Sequence, residues 1–323
     1  MSTSPVLPQL VQSRVMLLRS GWTDRRIADA VQSGALFPLR RGWFIDAAER
    51  ETLWSEQQHY AHVIAVARDA SGPAIMSHSS AAVLWNLPLH AMRLVRVHMT
   101  TAAPTRISSA PDVFRHVAPL PASDITVRAG IRCTSLARTV FDLIRSVPAP
   151  AAVAVADAAE RQMAERQWEW DTDAVVAWRR AMVKRLGQAG GARGVRQARW
   201  VADFADGRAQ LPGESISRLH LRTLGFADPG LQIPVDGPGR RRYFVDFELA
   251  DVRCFGEFDG KGKYIDEAQR SGRTLEQVLL AEKQREDWIR GRTQWAFARW
   301  GSEHITTPAA LAARLASFHI TPP

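Results

Sequence analysis

The spacing of apolar side chains predicts two short helices and a hairpin at the start of the chain. Residues 7–19 carry apolar side chains at helical intervals. A second helix is predicted at residues 24–33, directly after Thr23, which is a favourable N-cap residue. A tight basic turn and a short strand follow at residues 38–45. The order of helix, turn, helix and hairpin predicts a compact winged helix-turn-helix over residues 1–50.

Four arginines occupy the positions with which such a domain contacts DNA. Arg25 and Arg26 lie in the first turn of the second predicted helix, where they can reach a phosphate or a base edge. Arg40 and Arg41 lie in the turn of the predicted hairpin, where they can contact backbone phosphates or the minor groove. The pattern therefore predicts double-stranded DNA as a partner. The alternative is a small helical cap with solvated arginines.

Helical and strand periodicities alternate through residues 51–160, which predicts a mixed α/β middle domain. The predicted helices are residues 53–69, 81–86, 135–144 and 149–164, and the predicted strands are residues 93–100, 113–117 and 125–127. Arg138 and Asp142 are spaced as an i,i+4 ion pair, to which we assign a structural role. We expect no second metal-binding residue to be paired with His78, so a capping or packing role is favoured for it.

Residues 161–210 are predicted to be a helical linker between this middle domain and the rest of the chain. Helices are predicted at residues 173–186 and 195–204. The glycine-rich stretch 187–194 between them is a hinge or a helix–helix turn.

The pattern changes after residue 210, and a last domain is predicted over residues 211–323. A helix, two alternating strands, a second helix and a strand are predicted at residues 212–224, 243–249, 253–259, 275–290 and 293–299. This order is typical of a small α/β metal-dependent nuclease. With the winged helix-turn-helix and the mixed middle region, it predicts an α+β protein.

Acidic residues on the predicted hairpin suggest a metal site. Asp246 and Glu257 can face each other across the hairpin, and Asp259 shares a face with Glu257. With Glu214 on the preceding helix they offer hard oxygen ligands for Mg²⁺ or Mn²⁺. Such an ion would activate water and offset charge on a scissile phosphate. The alternative is a set of solvated hairpin charges.

Two lysines directly after the second strand could complete this site. Lys261 or Lys263 could stabilise the developing negative charge or orient the water. The chain has 42 basic residues, of which only Lys184, Lys261, Lys263 and Lys283 are lysines. Three of the four therefore lie near the acidic hairpin, where a compact ammonium is not simply replaced by arginine.

Residues 212–300 resemble the PD-(D/E)XK nuclease superfamily, and most closely its very-short-patch-repair endonuclease branch with that branch's bacterial relatives. The matching segments are Glu214, Val245-Asp246-Phe247, residues 257–264 (EFDGKGKY), residues 282–287 (EKQRED) and the strand around residues 295–300. The resemblance implies a restriction-endonuclease-like fold and Mg²⁺-dependent phosphodiester hydrolysis. Asp259 stands where the superfamily usually has lysine, so that role passes to Lys261, Lys263 or Lys283.

Residues 1–160 resemble the antitoxin of AbiE-type abortive-infection systems, which are type IV toxin–antitoxin systems. The matching segments are residues 40–43 (RRGW), 78–82 (HSSAA) and 133–139 (CTSLART). This resemblance implies a transcriptional regulator that binds operator DNA and a cognate toxin. It supports a second hypothesis, in which the nuclease fold is degenerate and the protein is a non-catalytic regulator or antitoxin.

Composition agrees with both hypotheses. The chain of 323 residues has a formal net charge of +9, and residues 1–150 hold 16 basic and 10 acidic side chains. A basic surface favours polyanionic partners. Two cysteines make neither a disulfide framework nor a cysteine-based zinc site. We find no signal-peptide pattern and no apolar run of about 20 residues, so we expect a cytoplasmic protein without a membrane partner.

Overall fold

A computed structural model describes residues 7–70, 72, 75–101, 110–166, 169–260 and 274–323. The chain forms two compact units. The first contains Met1–Val155 and Val176–Asp203, and the second contains Ala156–Val175 and Phe204–Pro323. Helices and several small sheets occur in both units, which confirms the predicted α+β class.

The first unit begins with a helix-turn-helix that is followed by a hairpin. Its elements are α1 (Leu7–Leu10), β1 (Gln12–Ser13), α2 (Arg14–Arg19), α3 (Asp24–Gln32), β2 (Leu36–Arg40) and β3 (Trp43–Asp46). The strands form a sheet in the order β1-β3-β2. Thr23 caps α3 as predicted, because its hydroxyl accepts a hydrogen bond from the amide of Arg26 at 3.2 Å. Leu17, Ile27 and Phe44 form part of a small core among these elements.

The prediction of one helix over residues 7–19 is wrong, because a short strand interrupts it. Gln12 and Ser13 pair with Phe44 and Trp43 of β3. The Ser13 hydroxyl then accepts a hydrogen bond from the Met16 amide at 3.1 Å and so starts α2. Pairing with a strand 30 residues away therefore overrides a locally helical pattern.

The remainder of the first unit alternates helices with two-stranded sheets. It contains α4 (Ala47–Glu51), α5 (Ser55–Asp69), α6 (His78–Leu84), β4 (Val97–Thr101), β5 (Val113–Val117), β6 (Ile125–Arg128), β7 (Ile131–Thr134), α7 (Leu136–Ile144), α8 (Ala149–Ala164), α9 (Thr172–Gln188) and α10 (Val195–Phe204). The division between the units falls within α8 and α9. β4 and β5 are parallel, whereas β6 and β7 form an antiparallel hairpin. The predicted strand 93–100 is shorter in the structure, because pairing with β5 begins only at Val97.

The predicted Arg138–Asp142 pair is confirmed and belongs to a larger buried group. The two side chains approach to 2.9 Å, and Arg138 also contacts Asp124 at 3.3 Å. Arg185 of α9 contacts the other oxygen of Asp124 at 2.5 Å. The buried carboxylates of Asp124 and Asp142 therefore each form an ion pair with a guanidinium group, because a buried charge requires a partner.

The second unit contains a four-stranded sheet between helices. After the short β8 (Glu165–Arg166) and β9 (Glu169–Trp170), its elements are α11 (Pro212–Leu224), β10 (Gly230–Asp236), β11 (Arg242–Leu249), β12 (Cys254–Asp259), α12 (Leu275–Thr293), β13 (Ala296–Gly301) and α13 (Pro308–Ala316). The strand order is β10-β11-β12-β13, with β12 and β13 parallel. The predicted hairpin is confirmed, since β11 and β12 pair antiparallel with Phe247 opposite Gly256.

Strand β10 and helix α13 of this unit were not predicted, and neither were the short strands β8 and β9. Strand β10 contains Pro234, and its burial does not alternate, so no strand pattern marks it. Helix α13 does carry a local signal, because the hydroxyl of Thr307 caps it and Pro308 occupies its first turn. Among the described residues, no helix has the length and apolar character needed to cross a membrane.

A glycine in the centre of this sheet provides a test of the packing. A Cβ atom at Gly256 would overlap the ring of Trp300, which is only 1% exposed and has no room to move. We expect Gly256→Ala to lower the free energy of unfolding of the second unit by about 1–3 kcal/mol, the usual cost of overpacking. Urea unfolding followed by tryptophan fluorescence measures the change.

The matched control is Gly291→Ala on α12, where an added Cβ meets no atom within 4 Å. This change should be neutral or stabilise the unit by up to about 1 kcal/mol, because alanine has less backbone freedom in the unfolded chain. Equal effects of the two substitutions would contradict the described packing around Trp300.

Candidate functional site

The predicted acidic residues lie on three elements of the second unit. Glu214 is in the first turn of α11, Asp246 is near the middle of β11, and Glu257 and Asp259 are on β12. Glu214 and Glu257 are each only 2% exposed, whereas Asp246 and Asp259 are half-buried. Buried carboxylates require partners, and their contacts define what this site can do.

A glutamine links two of these carboxylates. The side-chain amide of Gln232 on β10 lies 3.4 Å from Oδ1 of Asp246 and 3.5 Å from Oε2 of Glu214. Main-chain amides of Phe258 and Gln210 donate to Asp246 and Glu214 at 2.9 and 2.8 Å. Gln232 was not predicted as a site residue, because the strand that carries it has no clear pattern.

Glu257 contacts two arginines that are distant in sequence. Arg285 of α12 donates to Oε1 of Glu257, and Nη2 of Arg299 on β13 lies 2.9 Å from Oε2. Both arginines also contact Glu282, at 2.7 Å from Arg285 and 2.5 Å from Arg299. Arg299 further contacts Asp259 at 3.4 Å. Two guanidinium groups thus lie among carboxylates from both the sheet and α12.

These arginines and Glu282 are site residues that were not predicted. Their only local signal is the i,i+3 spacing of Glu282 and Arg285 within a segment that matched the nuclease superfamily. The contacts of Arg299 depend on the parallel pairing of β13 with β12, which places Arg299 opposite Glu257.

The same contacts shift the pKa values of the two glutamates in opposite directions. Burial raises the pKa of Glu257 to about 7; Arg285 and Arg299 oppose this rise, and the charge of Asp246 adds to it. Burial acts in the same direction on Glu282, but its hydrogen bonds from Arg285 and Arg299 prevail and hold its pKa at about 2. Glu257 is therefore the carboxylate that most requires further positive charge.

The donor chemistry of Asp246 and Glu257 fits a hard divalent cation such as Mg²⁺. Oε2 of Glu257 is buried, and its polar contact among the described residues is the ion pair with Nη2 of Arg299 at 2.9 Å. A cation at Glu257 competes with Arg285 and Arg299 for this carboxylate. Within the described residues, the four predicted acidic ligands do not form a group of three with ligand atoms within 4.8 Å of one another. Lys261 and Lys263 lie outside the described residues.

The predicted DNA-contacting arginines differ in their surroundings. Arg25 and Arg26 are exposed in the first turn of α3, where Arg26 lies over the Trp22 ring at 4.1 Å. Arg41 is exposed in the turn between β2 and β3. Arg40 is only 20% exposed and lies 3.2 Å from Asp69 and 3.6 Å from Asp112.

A second candidate site lies in the first unit. His78, His98 and His116 bring one ring nitrogen each within 4.8 Å of one another. The expectation that no other metal-binding residue accompanies His78 is therefore wrong, because the fold pairs residues that lie 20 and 38 positions away. Burial lowers the pKa of His78 to about 2 and that of His116 to about 4, with neighbouring histidines adding to each effect.

Comparison with known proteins identifies relatives for part of the chain. No protein-family model matches it. Two uncharacterized proteins of Mycobacterium tuberculosis, from strains CDC 1551 / Oshkosh and H37Rv, are each 34% identical to it over 131 residues. This match covers 41% of the chain and 44% of each relative's length. The relatives bring no activity, substrate or partner to the interpretation.

The raised pKa of Glu257 predicts a pH-dependent stability. The pKa of Glu257 is about 7 in the folded state and about 4.5 in the unfolded chain. Protonation of Glu257 therefore stabilises the folded state at low pH, and this stabilisation is lost as the pH rises through about 7. Between about pH 5 and about pH 8 we expect the free energy of unfolding of the wild type to fall by about 3 kcal/mol relative to that of Glu257→Gln. Urea unfolding of both proteins in EDTA measures the difference.

The control is Glu276→Gln, a change at an exposed residue of α12. Its free energy of unfolding should depend on pH as that of the wild type does. If the wild type instead gains stability relative to Glu257→Gln over this range, then the two arginines keep Glu257 ionised.

Proposed function

We propose that this protein binds double-stranded DNA and carries a metal-dependent, endonuclease-like second unit that hydrolyses phosphodiester bonds. The observation that carries the proposal is the placement of Asp246 and Glu257 on neighbouring strands, with Glu257 almost fully buried. The resemblance of residues 212–300 to the PD-(D/E)XK superfamily supports the same function.

The helix-turn-helix supports DNA as the partner. α3 follows the turn after α2 in the position of a recognition helix, with Arg25 and Arg26 exposed in its first turn. Arg41 extends this basic surface onto the hairpin. Because Arg40 contacts two carboxylates, we assign it to the folded structure and not to the DNA surface.

In the proposed nuclease, Asp246 and Glu257 would hold the ion, and Glu214 would help to orient Asp246 through the side-chain amide of Gln232, which lies between the two carboxylates. Mg²⁺ or Mn²⁺ supplies an activated water and offsets charge on the phosphate when bound. The Phe258 amide fixes Asp246 by its hydrogen bond to Oδ2. Lys261 or Lys263 is assigned the stabilisation of developing charge from the resemblance alone, and Asp259 serves as an outer carboxylate.

A second candidate function is a non-catalytic regulator or antitoxin that binds operator DNA and a cognate toxin. A specific observation favours it, namely the contacts of Glu257 with Arg285 and Arg299. Two permanent guanidinium partners satisfy the charge that a metal would otherwise balance. The non-catalytic function is also favoured by Asp259, which stands at the position where the nuclease superfamily usually has lysine.

Cleavage of supercoiled plasmid separates the two candidates. With Mg²⁺ or Mn²⁺ we expect the full chain to nick DNA, and we expect Asp246→Asn and Glu257→Gln to reduce the rate at least about 100-fold, since each removes a charged metal ligand. Asp236→Asn, an exposed acid on β10, should retain the wild-type rate. Absence of nicking, or equal nicking by all variants, would exclude the nuclease and leave the regulator.

Salt dependence of DNA binding tests the helix-turn-helix. Arg25→Ala with Arg41→Ala should weaken binding and flatten the slope of log K against log salt by about 2 units, since each lost phosphate contact removes about 0.9. Fluorescence anisotropy with a labelled duplex measures the slope. The control is Arg208→Ala with Arg222→Ala, two exposed arginines of the second unit, which should not change it. An unchanged slope in the first double variant would remove the DNA surface from this domain.

A further inference from the structure

We infer that His78, His98 and His116 form a binding site for a borderline transition metal ion, for which Zn²⁺ is the expected occupant. The site lies in the first unit and is independent of the acidic residues on β11 and β12. It is separate from the proposed nuclease and does not depend on it.

Strand register brings the three histidines together. β4 and β5 run parallel, with His98 opposite Phe114 and Thr100 opposite His116. Because side chains alternate along a strand, His98, Phe114 and His116 share one face of this sheet. His78 begins α6, and its ring stacks on that of His116 with centroids 3.7 Å apart. Three histidines from distant positions therefore meet on one surface.

The distances between ring nitrogens are near those of a metal site. Nδ1 of His98 and Nε2 of His116 are 3.0 Å apart. Two imidazole ligands on a tetrahedral Zn²⁺, each about 2.0–2.1 Å from the ion, have nitrogens about 3.4 Å apart. The third nitrogen of the group lies within 4.8 Å of the others. An ion would replace the hydrogen bond between His98 and His116, and the stacked rings of His78 and His116 must rotate apart before both direct a lone pair at it.

Neighbouring groups hold the rings in place. The Ser77 hydroxyl lies 3.1 Å from Nδ1 of His78, which leaves Nε2 of that ring as its ligand atom. The main-chain amide of His98 donates to the buried Ser80 hydroxyl at 2.8 Å. The ring of Phe114 contacts both His98 and His116, with centroids 5.5 and 4.7 Å away. The rings are thus oriented by contacts outside the ligand set, as in metal sites generally.

His78 also adopts a backbone conformation that is unusual for its residue type. Its φ is +50°, in the left-handed region, although it is the first residue of a helix. Such a conformation is strained for a residue other than glycine and persists where the surroundings require it. Here it places the imidazole against His116.

The chemistry of the set selects the kind of ion. The ligands are neutral imidazoles without a carboxylate among them, which suits Zn²⁺, Cu²⁺ or Ni²⁺ and disfavours Mg²⁺. The described residues place Arg96, Arg138 and Arg145 near the histidines, and Arg138 is balanced by Asp124 and Asp142. The histidines are half-buried, so a fourth position at the ion remains accessible to water or to an anionic ligand.

Metal titration of the full chain tests the site. After removal of EDTA, we expect Zn²⁺ to bind with one ion per chain at the histidines by calorimetry. Co²⁺ in its place should show the visible absorption of a tetrahedral complex with nitrogen ligands. His116→Ala and His98→Ala should weaken this binding at least about 100-fold, because even changes outside the ligand set cost 10–100-fold.

Two controls locate the ion. His90→Ala removes an exposed histidine of the same unit and should bind as the wild type does. Asp246→Asn should also keep the Co²⁺ absorption, because it affects only the acidic residues of the second unit. Loss of the Co²⁺ signal in Asp246→Asn with retention in His116→Ala would overturn the proposal.

A folding defect is separated from ligand loss by thermal unfolding without metal. If His116→Ala does not fold, His116→Gln, which approximately preserves size and polarity, replaces it in the binding measurement. Zn²⁺ should raise the unfolding temperature of the wild type and of His90→Ala but not that of a folded His116 variant. Absence of Zn²⁺ binding by the wild type, or an equal temperature shift in a folded His116 variant, would exclude the site.

Discussion

The structure depends on how this chain compensates carboxylates that it buries. A carboxylate removed from water must be protonated, paired or bound to a cation, because its desolvation costs several kcal/mol. In the second unit Glu257 contacts Arg285 and Arg299, and Asp157 is held by Arg218 at 2.9 and 3.0 Å. Burial nevertheless raises the pKa of Asp157 to about 6, so pairing offsets only part of the desolvation cost.

The first unit solves the same problem with the same residue type. Arg138 contacts Asp124 and Asp142, and Arg185 contacts Asp124 from another helix. A planar guanidinium can bridge two carboxylates in fixed geometry, which an ammonium does less well. Arginines therefore stabilise the interior by pairing with buried carboxylates, in addition to giving the surface its positive charge. Arg40 shows this directly, since a residue expected at a DNA surface contacts Asp69 and Asp112.

The two candidate metal sites differ in chemistry because they differ in how charge is balanced. The acidic residues of the second unit attract arginines, so any cation there competes with a guanidinium already in place. The group of three histidines contains no carboxylate among the described residues, and burial lowers the pKa of each imidazole and so favours the neutral form. Hard oxygen donors favour Mg²⁺, and imidazole donors favour ions such as Zn²⁺. A single chain thus presents two unlike sites in two separate units.

The sequence pattern predicts several helices and one hairpin of this fold, although it fails at residues 7–19 and at β10. Helices at residues 149–164, 195–204 and 212–224 and the hairpin of β11 and β12 are predicted and present, although residues 151–157 and 213–221 are buried on every face. The alternation of residues 243–249 and the turn that follows predict two neighbouring strands that carry Asp246 and Glu257, and the fold confirms both strands.

The partners of these residues depend instead on tertiary packing. The contacts of Glu257 come from α12 and from β13, and the three histidines meet only when β4 and β5 pair in one register. The strand at residues 12–13 likewise forms only because β3 is there to pair with it. Periodicity reports which face of an element is buried, but it carries no information on the register or the order of strands. Those are set by packing between residues far apart in the chain, and both candidate sites depend on them.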